Sequence, residues 1–176
     1  MSLAHKAILG LSLGTSHIGV AVISNDRLIH WQVRKFKGPW NPTRPEQLLE
    51  FIMGIVGKYE VREIAVKLPT KAHFSKRLIH IVADLGMYAA FSHLCIQSYR
   101  IHDLKQSLGE RSLNKRHLMK IACERFPVLE RTYQKELANK KPYHVKMFEA
   151  IIAALCMQSE QNREVSSDII KSIFHN

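Results

Sequence analysis

A chain of 176 residues, 46% hydrophobic with only 8 Gly and 6 Pro, is long enough to bury a core and too apolar to be a disordered segment. Its 26 Lys and Arg against 15 Asp and Glu leave a formal charge of +11, which favours a polyanionic partner, nucleic acid first, over a cationic one. No apolar run is long enough to span a bilayer and the start lacks a signal-peptide core, so one cytoplasmic domain over residues 1–176 is expected, with 161–176 as a C-terminal extension.

Residues 7–13 are apolar enough for a central strand; Gly14-Thr15-Ser16 turns the chain, and 18–23 forms a second strand. Asn25-Asp26 is a hairpin signal. The stretch 27–37 (RLIHWQVRKFK) alternates loosely, placing Ile29, Trp31 and Val33 on one face. A helix follows, with Thr43 as the expected N-cap and Glu46 at capping-box spacing. EIAVKLP (63–69) reads as a buried strand stopped by Pro69, residues 75–93 as a helix and CIQSY (95–99) as a strand. Helices are expected over 113–125 and 143–160. The order βββαβαβαα predicts an α/β fold, with a mixed five-stranded sheet between two helical layers. Leu9 and Leu11 are expected to pack near Ile152 and Leu155.

Cys95, Cys123 and Cys156 form no CxxC pair and lie among apolar neighbours, so they read as buried free thiols of a reducing compartment. The ten histidines show neither HxH nor HExxH spacing and read as surface or structural groups.

The segment ILGLSLGT (8–15) resembles the opening of RuvC-type Holliday junction resolvases, which runs apolar-apolar-Gly-apolar-Asp-x-Gly. IAVK (64–67) resembles their fourth strand, which ends in a glutamate. Residues 99–122 resemble their fifth strand, basic segment, Gly-containing loop and a helix entered through a lysine, here Lys115. KMFEAIIAAL (146–155) resembles their last helix, which carries Asp-x-x-Asp-Ala. The resemblance implies a ribonuclease H-like fold with three antiparallel strands, then two parallel ones. It also implies nucleic acid as partner, a homodimer and two Mg²⁺ or Mn²⁺ ions. GTSHIGVAVIS (14–24) and VREIAVKLP (61–69) are also similar to YqgF-type proteins, but Ser98-Tyr99-Arg100 stands where those carry Asp-Glu-Arg.

The departures from the pattern bear on chemistry. Phosphodiester hydrolysis by two metals about 3.5–4 Å apart needs several carboxylates, which supply hard oxygen ligands and neutralising charge. Carried over by the resemblance, the four acid positions are Ser12, Lys67, Lys146 and Glu149, and only the last is a carboxylate. This points to a nucleic-acid-binding protein for branched or structured DNA or RNA, with no resident metal and without metal-dependent cleavage. Lys67 and Glu149 are then expected to pair. Taken singly, Ser12 would bond a backbone group by the Gly14 turn, and Glu149 would pair with Lys146 along one helix face. Two alternatives stay open. One is an active endonuclease whose rearranged site uses Asp103, His144 and Glu149, with Glu63 and Asp84 as weaker substitutes. The other is a scaffold for a protein partner. Phosphate contacts are expected from Arg34, Lys35, Lys37, Lys71, Lys76, Arg77, Arg111, Lys115, Arg116, Lys140 and Lys141, basic residues at element ends.

Overall fold

The computed structural model describes residues 7–70, 75–140 and 142–174, with side chains of the last helix through Glu164. The strands are β1 (Ala7–Ser12), β2 (His17–Ser24), β3 (Arg27–Lys35), β4 (Val61–Lys67) and β5 (Cys95–Tyr99). The helices are α1 (Arg44–Lys58), α2 (Lys76–Phe91), α3 (Ile101–Leu108), α4 (Lys115–Arg125), α5 (Glu130–Ala138) and α6 (Val145–Phe174), with a 3-10 turn at Pro127–Leu129. The sheet order is β3-β2-β1-β4-β5, antiparallel across β3, β2 and β1 and parallel across β1, β4 and β5. This is the α/β ribonuclease H-like arrangement expected from the sequence.

β1 is buried along its whole length because it lies at the centre of the sheet with helices on both faces. Alternation along it sorts two cores. Leu9, Leu11 and Leu13 join Leu48, Ile52, Leu78, Ile81 and Leu85 under α1 and α2. Ile8 points the other way, into the core built by α4 and α6, where Ile152 is buried and Leu155 packs alongside. The expected contact of Leu9 and Leu11 with Ile152 and Leu155 is therefore not made: the two pairs lie on opposite faces of the sheet.

Two glycines let α6 lie directly on the sheet. A Cβ on Gly10 would sit 1.9 Å from the carbonyl oxygen of Ala150, and one on Gly19 would sit 1.9 Å from that of Lys146. The backbone of the first turns of α6 thus rests on β1 and β2, which fixes where residues 146–150 point.

Several local expectations need correction. A bulge where Val22 faces His30 and Ile23 faces Leu28 pushes Ile29 out to 42% exposure, so Leu28 takes its place beside Trp31 and Val33. β3 stops at Lys35, leaving Lys37 in the following loop. Asn25 and Asp26, at φ 51° and 58°, form the hairpin turn their sequence signals. Thr43 precedes α1, but its hydroxyl donates to Asn41 Oδ1 at 3.0 Å and caps no backbone N–H. Cys95 is exposed, whereas Cys123 and Cys156 are buried; all three are free. α3 and α5 bury one residue each, Leu104 and Glu136, so neither carries an apolar stripe for periodicity to detect. α6 runs through the polar segment after residue 158 because no Gly or Pro interrupts it, and 161–174 continues the helix.

Candidate functional site

Ser12 ends β1 and Lys67 ends β4, and the two are partners in the parallel register. They project to the face where α6 presents Glu149. Ser12 Oγ donates to Glu149 Oε2 at 2.5 Å, and Lys67 Nζ lies 2.9 Å from Glu149 Oε1. Both carboxylate oxygens are thus engaged, by a fully buried hydroxyl and an ammonium whose side chain is only 13% exposed. Lys146, one turn earlier on α6, does not bond Glu149; its Nζ donates to the Leu13 carbonyl at 2.9 Å, beside Gly14. The readings of Ser12 as a backbone cap and of Glu149 as the i, i+3 partner of Lys146 both give way to this arrangement.

The electrostatics come from burial and from which charges sit together. Burial opposes ionisation of Glu149, but the Lys67 charge, the bonds from Ser12 and Lys67, and the Lys146 charge outweigh it and hold its carboxyl below the usual value. Lys146 moves down, first through burial and then through Lys67 and Lys115, with Glu149 acting against the shift. The lysines around one carboxylate therefore leave an excess of positive charge at the ends of β1 and β4.

The donor set does not fit the metal pair that the resemblance implies. A divalent ion needs several oxygen ligands, and here there is a single carboxylate, each of whose oxygens already accepts a hydrogen bond, with ammonium groups beside it. Among the described residues no three His, Cys, Asp or Glu side chains converge to hold a metal. The substitutes are committed elsewhere. Asp103 Oδ2 accepts from the Arg100 backbone N–H at 2.6 Å and caps α3. His144 Nδ1 lies 2.6 Å from Glu136 Oε1. Glu63 is buried near the opposite end of β4, roughly 13 Å along the strand from Lys67. Asp84 lines a shallow cavity with Pro45, Leu49 and Phe91, on the other side of the sheet.

The expected phosphate ligands divide into groups. Lys115 acts electrostatically on Lys146, and Lys35 on His17, so these two border the site. Arg34 lies on the α1 side with its guanidinium 5.4 Å from the Phe51 ring centroid, and Arg77 stacks over Trp40 at 5.4 Å. Lys37 is exposed on the loop that Arg44 organises, donating to the carbonyls of Lys37 and Pro39. Lys76, Arg111, Arg116 and Lys140 are exposed at element ends. Lys71 and Lys141 fall outside the described residues.

Periodicity and motif spacing missed a ring cluster beside the site. His17 and Tyr143 stack with centroids 6.4 Å apart and planes 18° from parallel, and the His144 ring stands nearly perpendicular to Tyr143 with centroids 5.0 Å apart. These residues are 126 positions apart or adjacent, so no local spacing announces them.

Comparison of the sequence with family models and with curated proteins gives no match. Comparison of the structure does. A Thermus thermophilus RuvC structure superposes with TM-score 0.68 at 16% identity, and T. thermophilus RuvC in complex with a Holliday junction substrate with TM-score 0.65 at 18% identity. Each covers 90% of this chain and 96% of its own. The yeast mitochondrial Holliday junction resolvase superposes with TM-score 0.55 at 9% identity, over 94% of this chain and 85% of its own. At these identities the likeness is one of fold: the chain has the ribonuclease H-like fold, in the form found in RuvC and the yeast mitochondrial resolvase.

Proposed function

We propose that this protein binds structured or branched nucleic acid through its phosphates and does not cleave it by metal-dependent chemistry. The observation that carries the reading is the engagement of both Glu149 oxygens, by Ser12 and by Lys67, beside Lys146. An ammonium neutralises the carboxylate with no divalent ion, and the exposed Lys35 and Lys115 that border the site are placed to meet a phosphate. The formal charge of +11 and the junction-bound RuvC among the similar structures support nucleic acid as the ligand. The test is titration of a four-way DNA junction, a duplex and a structured RNA at several salt concentrations, followed by incubation with Mg²⁺ or Mn²⁺. Salt-sensitive binding without nicking is expected. Nicking in Mn²⁺ would favour the rearranged endonuclease instead.

A protein-partner reading has its own support. Ile79, Met87 and Phe91 are 47%, 59% and 80% exposed along the outer face of α2, far more apolar surface than a solvated helix needs. The partner implied by the resemblance is a second copy. Sedimentation of the wild type and of Phe91→Ser tests it, with a concentration-dependent dimer lost in the variant as the supporting result.

A further inference from the structure

We propose that the stacked rings of His17 and Tyr143 are a platform for one unpaired base, so that the neighbouring phosphate-binding site selects nucleic acid with a base free of its helix. The inference rests on the phosphate-binding reading above and adds the substrate feature that reading leaves open.

The platform is built from the inside outward. Glu136 is 4% exposed and its Oε1 holds His144 Nδ1 at 2.6 Å. The His144 ring lies nearly perpendicular to the Tyr143 ring, with centroids 5.0 Å apart. Tyr143 in turn stacks on His17, whose Nδ1 is held by Ser16 Oγ at 2.9 Å. Two rings held nearly parallel in this way are pre-organised, so little side-chain freedom remains to be lost when a third ring joins them. Tyr143 is 43% exposed, which leaves it surface for that ring.

The charge around the pair fits a nucleotide. Lys146 and Lys35 lie close enough to His17 to depress its protonation after burial has already done so, and Glu149 only partly offsets them. The imidazole is therefore neutral near pH 7, and it stacks as a flat aromatic surface with cations beside it. A base on the rings with its phosphate toward Lys146 uses both features. The arrangement matches the general logic of single-strand recognition, aromatic faces beside a cationic track, and is indifferent to sequence because every base has a π-face. A fully stacked duplex offers no free base to this surface.

The test compares a fully paired duplex with the same duplex carrying a single unpaired 2-aminopurine, in DNA and in RNA. Wild type should bind the unpaired probe more tightly and quench its fluorescence. Tyr143→Ala should weaken that probe by about tenfold while changing the paired duplex by less than about twofold. Tyr143→Phe should behave as wild type, since the ring is retained. Equal loss on both probes, or a wild type that binds both equally without quenching, would overturn the platform while leaving phosphate binding intact. Failure to bind either probe would overturn both. If Tyr143→Ala does not fold, quenching by the wild type together with its retention in Tyr143→Phe supports the platform, and absent quenching overturns it.

Discussion

Lys67 and Glu149 stand 82 residues apart in the chain and meet as an ion pair, Nζ to Oε1 2.9 Å, at the junction of β4 and α6. Ser12 completes the arrangement from β1 by donating to the other carboxylate oxygen. Three elements thus converge on one carboxylate, and its stability, metal response and acid response all depend on that convergence.

Removing one member of this pair should cost far more than removing both. Lys67→Met leaves a nearly buried carboxylate with only Ser12 and the more distant Lys146, and about 3 kcal/mol of stability should be lost. Lys67→Met with Glu149→Leu removes both charges, so denaturant unfolding should show a clearly smaller loss than Lys67→Met alone, the remainder coming from the Ser12 hydroxyl left without its acceptor. Additive losses in the cycle would mean that the pair is not energetically coupled.

Melting should be indifferent to divalent metal. A specific site at a hundredfold excess over its Kd adds about 2.7 kcal/mol, or roughly 5–10 °C in a chain of this size. Wild type should melt at nearly the same temperature in Mg²⁺, Mn²⁺ or chelator. The triple variant Ser12→Asp, Lys67→Glu, Lys146→Asp should become metal-dependent. A wild type raised by several degrees in millimolar Mn²⁺ would show that Glu149 is available to a metal after all.

Acid should weaken the fold through Glu149. Its carboxyl is held below 4.5 in the native state, so its contribution to stability is present above that value and disappears as pH falls through the lower, native one. The stability difference between wild type and Glu149→Gln should therefore shrink as pH falls below 4.5 and through the lower native value. A difference that stays constant over that range would mean that the carboxyl titrates alike in folded and unfolded chains.

Two glycine substitutions should act in opposite directions. Gly10→Ala drives a methyl group into the Ala150 carbonyl and should cost about 1–3 kcal/mol or more, by forcing α6 off the sheet. Gly54→Ala, inside α1 with nothing within 4 Å of the new carbon, should gain up to about 1 kcal/mol. Thermal unfolding of the two variants decides it, and a tolerated Gly10→Ala would mean that α6 does not rest on β1 so closely.

The charge at the start of α4 should appear in the salt dependence of binding. Lys115→Ala with Arg116→Ala should weaken all nucleic acid sequences alike. It should also flatten the log–log salt slope by about 0.9 for each B-DNA phosphate that the variant no longer neutralises. An unchanged slope would move the phosphate track away from α4.

Element types were legible in the amino acids wherever burial imposes a period. The unbroken apolar run of β1, the Asn25-Asp26 turn and the apolar stripes of α1, α2, α4 and α6 could all be read, because one face of each must leave water. The replacement of three implied acids by Ser12, Lys67 and Lys146 was equally plain, since residue identity needs no geometry. α3 and α5, with one buried residue each, left no such trace. Which faces meet is a matter of tertiary structure: Leu11 turns toward α1 and α2, while Ser12 turns toward α6, a choice set by the pleat and by the glycines at 10 and 19. Packing likewise gives Glu149 the partners Lys67 and Ser12 in place of Lys146, and brings His17 to Tyr143. Those pairs join residues far apart in the chain, and their energies depend on distance in space, which no local spacing encodes.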